Sequence, residues 1–169
     1  MNVFDDLLQH SKPDLVQKIY RVSWNRNFGC YNKTGFEEII WPEIATRARW
    51  LIFFDLDDLH ELNKPYDSYA PVDAMIYETL SILRKTDYVC GQLNSGDEFI
   101  VAITESDGRA SPTRESAEGL QARLVESLAK QGMSATFAIV EVKFWDLADN
   151  LAPAIAEVKV AKRARGITR

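Results

Sequence analysis

The stretch Gln92-Leu93-Asn94-Ser95-Gly96-Asp97-Glu98-Phe99 has the composition of a hairpin tip. Two apolar runs of strand length flank it, Tyr88-Val89-Cys90 before and Phe99-Ile100-Val101-Ala102-Ile103 after. Asn-Ser-Gly-Asp between such runs is turn chemistry, because Gly takes a positive φ without steric cost and Asn and Asp tolerate one. The hairpin would carry two adjacent acids, Asp97 and Glu98, at the mouth of a sheet. Taken alone, an Asp-Glu pair reads as a polar turn. A second acidic cluster upstream changes that reading.

That cluster follows Trp50-Leu51-Ile52-Phe53-Phe54, a continuous apolar run of the kind that forms a central strand covered on both faces. It runs directly into Asp55-Leu56-Asp57-Asp58. Carboxylates at the end of a buried strand repel one another and lose hydration, an arrangement that needs a cation or a donor to offset it. Asp55 is closest to the strand and is expected to be the driest. Asp57 and Asp58 can instead cap a short helix from Leu59 to Asn63, a role that fits Asp58 best.

Outward from these two strands the pattern is helix, helix, strand, helix, strand, strand, helix, strand, helix. Residues 4 to 22 read as a helix, with Ser11-Lys12-Pro13-Asp14 as a start signal and Leu15, Ile19 and Val22 on one face, packed on the domain's flank or on a second copy. Gly29 to Lys33 is a predicted loop. Thr34 and Glu37 form a predicted capping box for a helix carrying Phe36, Ile39, Ile40 and Ile44, which Pro42 bends or interrupts. Tyr66 to Pro71 is a loop, and Pro71 to Lys85 a helix with Val72, Ile76, Leu80 and Leu83 on one face. Residues 113 to 131 form the next helix, Ser134 to Val142 a strand, and Asp149-Asn150 with Pro153 opens the last helix. The centre is β-α-β-β-α-β, an α+β palm or ferredoxin-like core with an antiparallel central hairpin and an extra N-terminal helix. In such a sheet Asp55 faces Asp97 and Glu98 across adjacent strands, about forty positions away in sequence.

Composition narrows the function classes. The 169 residues, 46% of them hydrophobic, suit one globular domain, divided here into a helical leader, 1–26, and the domain proper, 27–169. A net charge of -5 argues against a nucleic-acid binder. No apolar run reaches membrane-spanning length, and the N-terminus lacks a basic start and apolar signal core. Cys30 and Cys90 are too few for a disulfide framework and lack metal-ligand spacing. The expected location is cytoplasmic. The leader leaves no room for a sensory domain, so any regulatory or sensor element is expected to be a separate protein.

Two or three carboxylates converging beside a Gly turn suit a divalent ion and a nucleoside triphosphate. Mg²⁺, or Mn²⁺ in its place, takes hard oxygen ligands, commonly one or two carboxylates with phosphates and waters. Two such ions can activate a 3′-hydroxyl and stabilise the leaving pyrophosphate. Lys162 on the last helix reads equally as a phosphate-neutralising cation or as a solvated cation near a helix C-terminus.

Ser95-Gly96-Asp97-Glu98-Phe99 resembles the signature of the GGDEF domain, the diguanylate cyclase family, with Ser in place of the first Gly. Three further stretches agree in order. Gly29 to Phe36 resembles the family's T-G-L-x-N-R-x-x-F/L motif, Phe54 to Asn63 its D-x-D-x-F-K-x-x-N segment, and Ala161-Lys162 the A-K of its closing helix. The resemblance covers roughly residues 27 to 166. It implies that Asp55 and the Leu56 carbonyl bind metal, that Asp97 and Glu98 hold metal and serve catalysis, and that Asn63 and Asp73 contact guanine. Ser95 and Gly96 would line the nucleotide, and Lys162 would bind phosphate. It also implies GTP as substrate, cyclic di-GMP as product, and a homodimer in which each copy holds one GTP.

The chain departs from the family at several positions. His60 stands where a phosphate-binding Lys is usual, and Asp58 replaces an apolar residue whose backbone meets phosphate. Tyr66 to Asp73 lacks the G-H-x-x-G-D pattern, and Gly91 or Gln92 takes the place of an Arg. Arg84 and Asp87 match the R-x-x-D product site in type, but seven residues separate Asp87 from Ser95 where the family has five; an ordinary helix end is the favoured reading. An active diguanylate cyclase is the preferred expectation. The alternatives are a degenerate module that binds GTP or a cyclic dinucleotide as a regulator, and a related palm cyclase with another product.

Overall fold

The computed structural model describes residues 12–83, 88–94, 96–106 and 109–167. Residues 4–11 of the expected first helix, Ser95, and the Arg84 to Asp87 segment lie outside the described residues. In chain order the elements are α1 (Lys12–Ser23), β1 (Trp24–Asn25), β2 (Cys30–Tyr31), a π-helical segment (Gly35–Ile40) continuing as α2 (Trp41–Ile44), β3 (Ala48–Leu56), α3 (Leu59–Asn63), α4 (Ala70–Leu80), β4 (Tyr88–Gln92), β5 (Glu98–Thr104), α5 (Arg114–Lys130), β6 (Ala135–Glu141) and α6 (Leu147–Ala164). The six strands form one sheet in the order β1-β2-β4-β5-β3-β6. Its last four strands are the expected β-α-β-β-α-β core, antiparallel at every step.

β3 is central, flanked by β5 and β6, and its side chains are buried on both faces. Successive residues of a strand point to opposite faces. Ile52, Phe54 and Leu56 therefore join one core with Phe99 and Val101, under Val72 and Ile76 of α4 and Leu120, Leu124 and Leu128 of α5. Phe54 stacks between Phe99 and Phe137 in that layer, with centroids 5.3 and 5.1 Å away. Leu51 and Phe53 join the opposite core with Phe36, Trp41 and the α6 stripe Leu147, Leu151, Ala154 and Val158. Asp55 shares the parity of Leu51 and Phe53, so it emerges on the α6 side.

Several expected boundaries are corrected. Thr34 makes no side-chain cap bond and is already in helical geometry. Asn32 does the capping: its Oδ1 accepts from the Gly35 N–H at 2.8 Å, a job for a side chain able to reach back over the turn. Pro42 falls where the π-helical first part (Gly35–Ile40) gives way to α2 (Trp41–Ile44), so the break expected there is a change of helix type within a continuous helix. The expected loop from Gly29 contains β2, which pairs with β1 and, in parallel, with β4. α4 stops at Leu80 rather than Lys85.

The last helix begins before Asp149, at Leu147, with Asp146 as its N-cap accepting from Ala148 N–H at 2.8 Å. Asn150 is inside the first turn and buried. Its Oδ1 accepts from the N–H groups of Lys143 and Phe144 at 2.9 and 3.1 Å, and its Nδ2 donates to the carbonyls of Phe144 and Asp146 at 2.7 and 2.8 Å. On α1, the face expected to pack on the domain's flank or on a second copy is not covered by the flank, with Ile19 38% and Val22 69% exposed in the single chain. The helix is tied to the domain at its end instead, through buried Ser23 and a Tyr20–Trp24 ring stack.

Candidate metal and nucleotide site

The hairpin tip closes as its sequence requires. Gly96 has φ +89°, and a Cβ built there would meet only the Gln92 amide at 3.6 Å, so the backbone conformation, not crowding, calls for Gly. Behind the turn, β5 pairs with β3 in a register that sets Glu98 opposite Asp55. The Leu56 N–H donates to the Asp97 carbonyl at 2.9 Å. Asp55 and Glu98 are thus a pair without mutual backbone bonds, the type whose Cα atoms approach to about 4.5 Å and whose side chains lie closest. Both are 4% exposed.

A cation from the far end of the chain meets these acids. The buried stripe of α6 runs Leu147, Leu151, Ala154, Val158 and then Lys162, so the last position of an apolar face is a lysine. Its Nζ donates to Asp55 Oδ1 at 2.5 Å and to the Leu56 carbonyl at 2.8 Å, while itself only 8% exposed. Burying an ammonium is costly unless it is paired and hydrogen-bonded, and here it is both.

Asp57 forms the next layer. It is 3% exposed, and its carboxylate accepts from Ser134 Oγ at 3.0 Å and Thr136 Oγ1 at 2.9 Å. The Arg165 guanidinium spans both of its oxygens, at 3.2 and 3.3 Å, and also contacts Thr136 Oγ1. Asp57 therefore does not cap α3. Asp58 occupies the N-cap place but makes no side-chain cap bond, because it is held left-handed at φ 51°, ψ 34°. Ser134 and Thr136 were not expected in the site, and Asp57 was read as a cap; the one signal for Asp57 was its spacing of two from Asp55, which puts both on one face of an extended chain. The sequence left open whether Arg163 or Arg165 reaches the site, and it is Arg165 that does.

On the other flank, Glu98 Oε2 accepts from Asn94 Nδ2 at 3.0 Å, and Asn94 Oδ1 accepts from Lys33 Nζ at 2.9 Å. Lys33, in the stretch that resembles the T-G-L-x-N-R motif, thus reaches the hairpin tip. Asp97 is half-buried at that tip. His60 is exposed on α3.

Asn63 and Asp73, expected at the base, do not touch the acids above. Asn63 Nδ2 donates to the Leu59 carbonyl at 2.9 Å, which leaves Oδ1 buried with no partner among the described residues. Asp73, in the first turn of α4, accepts from Asn27 Nδ2 at 3.1 Å. Burial raises its carboxyl above the ordinary value of 3.8, and the Asn27 bond opposes that rise. Both residues present an acceptor.

The oxygens of Asp55, Glu98 and the Leu56 carbonyl fit a hard divalent ion, which commonly takes one or two carboxylates. The ammonium of Lys162 stands in for such a cation on two of those oxygens. Among the described residues there is no group of three or more His, Cys, Asp and Glu side chains placed to hold a metal, so the donor set depends on the backbone carbonyl. A cavity of about 410 Å³ opens beside Asp57, lined by Asp58, Glu61, Tyr66 and Ser134. A larger one of about 730 Å³ lies away from the acids, around Trp24, Phe28, Cys30 and Tyr77. Among the described residues, no helix is long and apolar enough to cross a membrane.

No protein-family model matches the sequence, and no curated protein matches it. Solved structures do. Diguanylate cyclase SiaD from Pseudomonas aeruginosa, solved with its activator SiaC, superposes with a TM-score of 0.68 at 18% identity, covering 95% of this chain, which spans 66% of SiaD's length. A sensory box/GGDEF family protein from Caulobacter crescentus CB15 gives 0.62 at 24% identity, over 84% of this chain and 99% of that one. A microbial GGDEF domain solved for its interaction with cyclic di-GMP gives 0.67 at 16% identity, over 85% and 94%. The chain has the GGDEF-domain fold.

Proposed function

We propose that the chain condenses two GTP molecules into cyclic di-GMP by metal-assisted nucleotidyl transfer, two copies meeting face to face with one GTP each. The observation that carries this reading is the Asp55–Glu98 pair across β3 and β5, on one face with the Leu56 carbonyl beneath Lys162. Asp55, Glu98 and that carbonyl would hold Mg²⁺ or Mn²⁺. When bound, the ion supplies charge stabilisation for the attacking and leaving oxygens. Lys162 and Arg165 are the cations at hand for the phosphates, and the Gly96 turn, with no side chain, lets phosphate approach the backbone. Asp97 is the tip acid assigned to the attacking 3′-hydroxyl.

The acceptors of Asn63 and Asp73 favour guanine as the base. Its Watson–Crick edge offers two adjacent donors, N1–H and N2–H₂, whereas adenine offers one donor beside an acceptor. A buried acceptor left without its donor costs about 1–3 kcal/mol, which is the source of discrimination. A second reading, a module that binds GTP or a cyclic dinucleotide without turnover, draws on two observations. Asp58 places an exposed acid at the start of α3, and His60 is an exposed imidazole where a lysine is usual.

Incubation of the pure protein with each NTP and Mg²⁺ or Mn²⁺, read by mass spectrometry, tests the reading. Cyclic di-GMP from GTP is expected, with Asp55→Ala and Glu98→Ala each lowering the rate by at least about a hundredfold. Nucleotide binding without product at any protein concentration overturns it in favour of the binding module. A cyclic product from ATP assigns a different specificity.

A further inference from the structure

Lys162 is bound where the divalent ion would be bound. Its ammonium lies 2.5 Å from Asp55 Oδ1 and 2.8 Å from the Leu56 carbonyl, in a contact whose side chains are 10% and 6% exposed. An octahedral ion at about 2.1 Å from the same two oxygens needs the volume that the ammonium fills. The two cations exclude each other.

Asp57 gives the ammonium somewhere to go. Its Oδ1 is 3.7 Å from Lys162 Nζ, so a small rotation of the lysine side chain exchanges one carboxylate for the other. Asp57 is already fixed by Ser134, Thr136 and Arg165, and needs no rearrangement to receive it. A displaced ammonium left without a counter-charge in a buried site would be strongly unfavourable. The phosphates of an incoming nucleotide supply a second anion on the same side.

We propose that Lys162 is a displaceable counter-ion of the metal position: it holds Asp55 and the Leu56 carbonyl in place, a divalent ion must dislodge it, and the ammonium, steadied by Asp57, then turns to the triphosphate. The inference rests on the metal site proposed above and adds the order of events. Metal alone binds weakly, because it must break the Lys162 contacts. Metal and triphosphate bind together, because the triphosphate takes up the released ammonium. The coupling is reciprocal, as linkage requires.

The test is calorimetric titration of Mn²⁺ into the wild type, Lys162→Met and Arg165→Met, with and without inorganic triphosphate, the solution complex of Mn²⁺ with triphosphate being accounted for. Lys162→Met is expected to bind Mn²⁺ alone about tenfold tighter than the wild type, within the roughly 5- to 150-fold range of coupled binding, and to lose most of the gain that triphosphate confers. Arg165→Met is expected to keep the weak binding of Mn²⁺ alone, since its guanidinium touches Asp57 and not the ligand oxygens. Circular dichroism reports whether each variant is folded. A wild-type measurement stands beside them: acylation of Lys162 by an amine-reactive reagent, followed by peptide mass spectrometry, should rise on adding Mn²⁺.

Equal Mn²⁺ affinity in the wild type and Lys162→Met, or equal tightening in Arg165→Met, overturns the displaceable counter-ion and leaves the metal site standing. So does Lys162 labelling that stays flat while Mn²⁺ binds. Failure of all three proteins to bind Mn²⁺ in either condition removes the metal site itself, and the inference with it.

Discussion

Asp73, proposed above to meet the base, shows at the residue scale how one carboxylate carries a stability cost. Burial raises its pKa above 3.8 in the folded chain, so between 3.8 and the raised value the unfolded chain binds fewer protons than the folded one. Stability therefore falls as pH rises through that window, and the loss persists above it. Asp73→Asn should remove this fall, seen as a flatter dependence of the urea midpoint on pH in the acid range. Asn27→Ala should move the Asp73 titration further up, because it deletes the donor that favours the charged form; carboxyl-carbon NMR reads it directly. A downward move would refute the assignment. Asp55 and Glu98, by contrast, are tested by turnover, since their pairing is the feature on which the proposed reaction rests.

At the scale of elements, α6 has two ends with separate duties. Its first turn is anchored by Asn150, whose four bonds satisfy the backbone of the loop from Lys143 to Asp146. Asn150→Ala leaves those groups unpaired in a buried place, and a loss of about 2–3 kcal/mol is expected in denaturant unfolding. A loss under about 0.5 kcal/mol would mean that water replaces the amide fully. The last turn delivers Lys162 and Arg165 to Asp55 and Asp57. Between the ends, Ala154 and Val158 press on the sheet, so misplacing the first turn should be felt at the site. β3 is the counterpart on the sheet side: one strand contributes Phe54 to the ring stack on one face and Asp55 to the site on the other.

For the whole molecule, the proposed reaction, joining two nucleotides held by two copies, requires an encounter. Initial rate per milligram should rise with protein concentration and level off once dimers dominate, and light scattering should place the midpoint in the same range. A specific activity independent of concentration down to nanomolar protein would argue for a permanent dimer or for turnover within one copy. The 730 Å³ cavity around Trp24, Phe28 and Tyr77 lies away from the acids, so filling it should change turnover only through the fold.

Local signals carried much of this architecture. The apolar run Trp50 to Phe54, the turn residues at Gly96 and the alternation of strand and helix patterns were enough to order the β-α-β-β-α-β core and to set Asp55 against Glu98, because strand pairing and turn geometry depend on adjacent residues and a period of two. Asp55 and Glu98 were legible for the same reason, whereas Asp57 read as a helix cap. The cations' placement was not legible. Lys162 meets Asp55 across 107 positions and Arg165 meets Asp57 across 108, contacts that exist only because α6 docks at one angle on the sheet. The solvent-facing side of α1 and the four bonds of Asn150 were likewise decided by tertiary structure, since amphipathic spacing and polar residue type state what a side chain prefers, and packing decides what it reaches.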